Sequence, residues 1–442
     1  MRRVLWMIAA TAALASAQDK ADLTLAEAIA IGRQNSRVIH LARTGAQQAE
    51  ARAGEAESVL LPSLQVVAGY QRIQEGTFRL YGIDIPGLTP PSVVADNVTL
   101  RVGLQQPLFT GFRLRNQARA AEFRADAASL EEGMTEENVE LAIASSYWLL
   151  YQTLRVEEAV NENVTRLRSY REDTQRLLET GLATRNDALK VEVQLQSALL
   201  TQIDARNDVV LARMTLNNAM GRPLTVPLVP VSEPEDATAA DTLMVLVALH
   251  QDSLLAERAQ AERKDLQASA ALAEAARSSA SAVRGGYWPQ LQLYANYAYL
   301  HPNQRYQPVI PEFLGSWDVG VNLSFDLWNW GRTARQAEVA DAGVRQAEES
   351  YAQLRDDVAL EVHRAALTVR RAQEKLGVAQ LGVEQAEENR RMASDRYKNG
   401  LATAADLLDA EVALVQARTS LTGAQVEYAL AKSRLERAVG IH

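Results

Sequence analysis

The chain contains a long stretch of itself twice. Residues 181–221 (GLATRNDALKVEVQLQSALLTQIDARNDVVLARMTLNNAMG) and 400–440 (GLATAADLLDAEVALVQARTSLTGAQVEYALAKSRLERAVG) align without a gap, and 16 of the 41 positions are identical. A period of half the chain means one structural unit duplicated, not a solenoid of many short repeats. Each copy carries the same succession of signals. A helical pattern (about 24–58, then about 240–285) leads to a proline break at Pro62 or Pro289. Two alternating segments follow, separated by a loop rich in proline and glycine. A glycine turn comes next (FTGF at 109–112, WNWG at 328–331), then a helical run of about 65 residues. The unit closes with a Gly-Leu-Ala-Thr turn and a helix of about 35 residues. The expected organisation is a first repeat at 18–221, a linker at 222–239 and a second repeat at 240–442. The stretch 221–236 carries four prolines and marks the linker.

A helix of about 65 residues is roughly 100 Å long, so it must bury an apolar stripe against other rods. The last helix shows the stripe: Leu407, Ala410, Leu414, Ala417, Leu421, Ala424, Tyr428, Ala431, Leu435, Ala438. The steps alternate between three and four, a 3.5-residue period that predicts a left-handed coiled coil. The first copy repeats the stripe from Ala188 to Ala219, broken by Gln202. Gly181 and Gly400 suit the left-handed residue that ends a helix. Thr184 with Asp187, and Thr403 with Asp406, suit an N-cap and its partner three residues on. Segments 181–184 and 400–403 are therefore expected to be the tips of helical hairpins.

The alternating segments are expected to be strands at about 63–78 and 97–109, then about 290–301 and 316–328. In the last of them Trp317, Val319, Val321, Leu323 and Phe325 face one way, while Asp318, Gly320, Asn322, Ser324 and Asp326 face the other. Such alternation fits a membrane-barrel strand or a soluble hairpin with one buried face. Aromatics cluster where strands meet helices: Phe109, Phe112, Tyr287, Trp288, Trp328 and Trp330. They fit an interfacial girdle, or a local core beneath the hairpins. Four strands cannot close a barrel, and open edges do not occur in lipid. If these are membrane strands, several chains share one barrel.

The N-terminus carries an export address. Arg2 and Arg3 precede the apolar run VLWMIAATAALA, and Ala15-Ser16-Ala17 is an A-x-A cleavage site, so residues 1–17 read as a signal peptide. No later apolar run approaches the ~20 residues of a spanning helix. The chain has no cysteine, and its five histidines show no metal-ligand spacing. There is no phosphate-binding loop and no GxSxG elbow. Neither an enzyme, a cofactor nor a metal site is expected. A formal net charge of −9 speaks against a nucleic-acid partner.

The signal peptide, the duplicated helix–strand–strand–helix unit and the tip pattern Y-x-x-G-L-A-T-x-x-D-L-L-D-A resemble TolC-type outer-membrane efflux proteins. The likeness covers essentially the whole chain after the leader, and RYKNGLATAADLLDAEVALVQA (396–417) is its most specific piece. It implies a mainly α fold with membrane β. Three chains would give a trimeric twelve-stranded β-barrel, four strands each, continued by a long periplasmic α-helical barrel with coiled-coil hairpin tips. It implies a passive duct of a tripartite efflux or type I secretion system, exporting small molecules (drugs, metals) or proteins. Its partners would be its own copies in a homotrimer, a periplasmic adaptor (membrane fusion) protein, an inner-membrane pump and outer-membrane lipid. The location would be the outer membrane of a Gram-negative-type bacterium. The alternative is a periplasmic coiled-coil scaffold or adaptor without a pore, which accounts for the helices but not for the outward-alternating hairpins.

The resemblance also assigns residues. Asp406 and Asp409 match acidic positions at the family's entrance, so three chains would ring the mouth with six carboxylates. The plainer roles are a helix cap for Asp406 and a solvated charge for Asp409. Tyr397 and Asp187 match positions that link neighbouring hairpins in the closed state. The family's basic linking residue corresponds to Ala402, so closure is held differently here, with Arg185 as the candidate. Gly181, Leu182, Ala183, Thr184, Gly400, Leu401, Ala402 and Thr403 match the tip motif that contacts the adaptor.

Overall fold

The computed structural model describes residues 21–74, 94–232, 234, 242–307, 309–399 and 401–441. The leader 1–17, Gly400 and most of the first interstrand loop lie outside the described residues. The elements, in chain order, begin with β1 (Ala21–Leu23), α1 (Leu25–Asn35), α2 (Arg37–Ser58), β2 (Ser63–Arg72) and β3 (Asp96–Phe109). The two rods of the first copy follow, α3 (Arg113–Glu179) and α4 (Arg185–Ala219). Then come β4 (Leu228–Pro230), α5 (Thr242–Ala248), α6 (Asp252–Glu262), α7 (Lys264–Arg284), β5 (Gln290–His301) and β6 (Leu314–Ser324). The rods of the second copy are α8 (Arg332–Lys398) and α9 (Ala404–Val439). Both long rods span 67 residues, and β6 ends at Ser324 although the sequence alternation runs on towards 328. The aromatics beyond Ser324 belong to the turn rather than to the ladder.

The chain forms two compact units, and each draws on both copies of the repeat. One comprises Gly45–Leu130 and Gln267–Gln353, the other the residues up to Thr44, Glu131–Leu266 and Leu354 onward. The first holds a four-stranded antiparallel sheet in the order β2-β3-β5-β6. Register lines up Val66, Val102, Tyr297 and Trp317 across all four strands, and the next row is Gln65, Gly103, Asn296 and Asp318. Directly paired residues share a face, so one face is apolar and the other polar. On the polar face Asn296 Nδ2 donates to Asp318 Oδ2 at 2.8 Å. The apolar face is open: Val66 is 63% exposed, Val319 62% and Trp317 72%. The helical part of this unit packs through Ala120, Ala127, Ala275, Ala280 and Ala282, all nearly inaccessible. Side chains this small let rods approach closely.

The second unit packs the hairpins α3–α4 and α8–α9 about the heptad stripes. Leu407, Leu414, Tyr428 and Leu435 of α9 are buried, as are Val191, Leu195, Val209 and Leu216 of α4. The break at Gln202 is filled by a polar pair, with Gln202 Nε2 donating to Asn161 Oδ1 at 2.6 Å. The proline-rich segment between the copies is anchored: β4 pairs in parallel with β1. Buried Tyr147 donates its hydroxyl hydrogen to the Leu23 carbonyl and accepts from Ser232 N–H.

Candidate functional site

The two hairpin tips are built alike. After α3, Gly181 adopts φ +75°, Gly181 N–H donates to the Leu178 carbonyl and Leu182 N–H to the Leu177 carbonyl. This is a Schellman ending, which satisfies the last carbonyls of the rod. In the second copy Leu401 N–H donates to the Arg396 carbonyl at 2.8 Å, the same closing bond. The next rods start with complete capping boxes. Thr184 Oγ1 and N–H both donate to Asp187 Oδ2, and Asp187 N–H returns a bond to Thr184 Oγ1. Thr403 and Asp406 repeat the arrangement. The threonine hydroxyl and backbone N–H hold both carboxyls below the ordinary aspartate range. Leu182 and Leu401 project from the tips, 78% and 75% exposed.

Behind the tips the hairpins interlock. Val164, Leu167 and Tyr170 of α3, Val191 and Leu195 of α4, and Tyr397, Leu407 and Leu408 of the second copy form one apolar cluster. A polar line crosses it. Glu162, Arg166, Tyr170 and Thr174 stand four residues apart, on one face of α3. Glu162 accepts from Arg418 Nη1 at 2.6 Å. Arg166 Nε and Tyr170 Oη each donate to Glu411 at 2.8 Å, and Glu411 is only 1% exposed. Thr174 Oγ1 shares a hydrogen with Tyr397 Oη at 2.7 Å. Tyr397 therefore bonds Thr174, while Asp187 bonds its own cap residue.

Asp406 is exposed and occupied as a cap. Asp409, one turn further along, is exposed. Lys190 occupies the equivalent position of the first copy, and it lines the same cavity as Asp409, about 440 Å³, with Leu189, Val193, Ala405 and Leu408. The repeat alignment sets these two residues in correspondence; it carries no sign that they share a cavity. Arg185 lines a different hollow, with Arg171, Glu172 and Glu192. Glu411 was not legible as a site residue either, although the E-x₃-R-x₃-Y-x₃-T spacing on α3 is visible in the sequence. Among the described residues no cluster could hold a metal ion. No described helix is long and apolar enough to cross a membrane.

The strand-to-helix turns form a second constellation. Gly111 and Phe112 have φ +60° and +63°, Trp330 and Gly331 +55° and +75°. Arg113 N–H closes the first turn on the Thr110 carbonyl, and Arg332 N–H the second on Asn329. Both central residues are left-handed in each turn, the type I′ pattern, with glycine and aromatic exchanging places between the copies. Phe109 meets Phe112 edge-on at 5.6 Å, and Trp328 meets Trp330 at 5.7 Å. Trp328 and Trp330 are 76% and 87% exposed, and Tyr287 and Trp288 also stand open.

This geometry has known counterparts. The family model described as outer membrane efflux protein matches residues 28–222 and 255–441. The outer membrane efflux protein BepC of Brucella suis biovar 1 is 24% identical over 350 residues, covering 75% of this chain and 71% of that one. The outer membrane protein TolC of Vibrio cholerae is 24% identical over 329 residues, 72% of each. The crystal structure of VceC, from the same species, superposes with a TM-score of 0.78 at 20% identity, covering 94% of this chain and 96% of that one.

Proposed function

The chain belongs to the outer membrane efflux protein family, and from that premise we propose that three copies pool their strands in one twelve-stranded barrel, with the hairpin tips as its periplasmic entrance. The protein is a duct and not an enzyme, located in the outer membrane with its helices in the periplasm. The observation that carries the proposal is the sheet. It exposes an apolar face, and among the described residues its outer strands β2 and β6 each lack one neighbour. Such a face needs lipid, and such edges need partners. A second apolar line supports association of copies: Leu189, Val193, Leu200, Ile203 and Val210 of α4 run at heptad spacing and are exposed.

Asp406 and Asp409 of three copies would face the mouth and attract cations. Leu182 and Leu401, with their flanking Gly-Leu-Ala-Thr residues, would meet a periplasmic adaptor that connects the duct to an inner-membrane pump. The pump supplies energy and chooses the cargo, whether a small molecule or a protein. Opening would loosen the inner hairpin α8–α9 from α3, across the line from Glu162 to Thr174. Two experiments test this reading. The purified protein should weigh three chains in detergent and conduct in planar bilayers; a monomer that does not conduct contradicts it. Leu182→Asp with Leu401→Asp should stop export while leaving assembly and conductance intact, and normal export would remove the tips from docking.

A further inference from the structure

We propose that the first turns of α3 and α8 bind the phosphate headgroup of an anionic phospholipid. Arg113 and Arg332 are the first residues of these rods, and neither rod has an acid in its first turn. Two arginines thus stand at helix N-termini, where the aligned peptide dipoles present partial positive charge that an anion relieves. A cavity of about 810 Å³ opens there, lined by Arg113, Arg124, Arg332 and Arg335, with Val283 and Val339 among its apolar walls. Acids pair with two of these four arginines and leave two without a carboxylate partner among the described residues. Arg332 pairs with Asp326 at 3.1 Å and Arg335 with Glu338 at 2.7 Å, while among the described residues Arg124 donates to the neutral hydroxyl of Ser279. Arg113 Nε is buried with no hydrogen-bond partner among the described residues.

The neighbourhood selects a lipid over a soluble anion. Arg113 follows Phe112 directly, and Arg332 follows Trp330 by two residues, so both arginines stand on the chain next to the aromatic pairs that follow the sheet. Aromatic rings of this kind settle at the membrane boundary, and phosphates lie at that depth. Arginine forks match phosphate oxygens two at a time, and the apolar walls accept the start of an acyl chain. The inference rests on the outer-membrane location, not on the trimer or on tip docking.

The test uses the purified full chain and native mass spectrometry. The probes are dioleoyl-phosphatidylglycerol, dioleoyl-phosphatidylcholine as the zwitterionic comparison, and inorganic phosphate as the competitor. The wild type is expected to retain phosphatidylglycerol in preference to phosphatidylcholine. Arg332→Gln with Arg335→Gln should weaken that retention about 30-fold and leave phosphatidylcholine unchanged. If this pair fails to assemble, Arg124→Gln alone gives the same reading, with about a fivefold loss expected. Equal retention by wild type and variant overturns the site. Complete displacement by millimolar inorganic phosphate overturns the lipid assignment, because the cavity would then be reading a free anion.

Discussion

At the scale of single residues, the entrance hypothesis turns on separating capping from charge. Asp406 is engaged by Thr403, whereas Asp409 is exposed in a cavity with Lys190. Asp409→Asn should therefore weaken block of single-channel current by a multivalent cation, by about fivefold. Lys190→Gln should strengthen it, and Thr403→Val should leave it unchanged; an unchanged block in Asp409→Asn removes that carboxylate from the mouth. The caps have their own signature. The folded-state carboxyls of Asp187 and Asp406 lie below the ordinary value of 3.8. Their contribution is thus fully present above about pH 4 and is lost as pH falls through the lowered folded value. A spin label on Leu182 or Leu401 should gain mobility between pH 5 and pH 2 in the wild type. In Thr184→Val with Thr403→Val it should be mobile throughout, and a flat wild-type profile would contradict the cap account. The caps were legible because Thr-x-x-Asp is local. The Lys190–Asp409 meeting was not, because the two are joined only through packing of separate hairpins.

At the scale of elements, the polar line on α3 is the contact that sequence reasoning passed over. The long-range partner of Arg166 lies 245 residues away in Glu411, on a rod that carries four other carboxylates (Asp406, Asp409, Glu427 and Glu436), so nothing local distinguishes that one. Arg166→Met leaves a carboxylate buried without its cation, which costs about 3–5 kcal/mol. Faster amide exchange is expected over 404–416, with a larger resting conductance; exchange equal to wild type would show that Glu411 does not hold the hairpins. The strand-to-helix turns make a second comparison. A Cβ on Gly111 would stand 2.3 Å from the Gly285 carbonyl oxygen, whereas one on Gly331 meets nothing within 4 Å. Gly331→Ala should cost only the left-handed backbone penalty of about 1–2 kcal/mol. Gly111→Ala should lower the melting temperature clearly more, and equal shifts would contradict the packing of this turn against residue 285. The turns were legible as breaks; which glycine is crowded was not, because the crowding comes from a segment far along the chain. The three-residue strand β4 was hidden by its prolines and its length.

At the scale of the molecule, the duplication and the period-two alternation carried most of the architecture. Both are patterns that repeat along the sequence, and the rods, tips and four strands follow from them. The sheet adds the decisive fact: rows such as Val66–Val102–Tyr297–Trp317 run unbroken from edge to edge and stand open. The central claim is that β6 of one copy pairs with β2 of the next. The chain contains no cysteine, so single cysteines can be placed on both edges without background. Pairs scanned between Gln65–Gly69 on β2 and Asn322–Ser324 on β6 should cross-link in outer membranes to covalent trimers on denaturing gels, at pairs along one antiparallel register. Chains that remain monomeric at every pair would contradict the shared barrel.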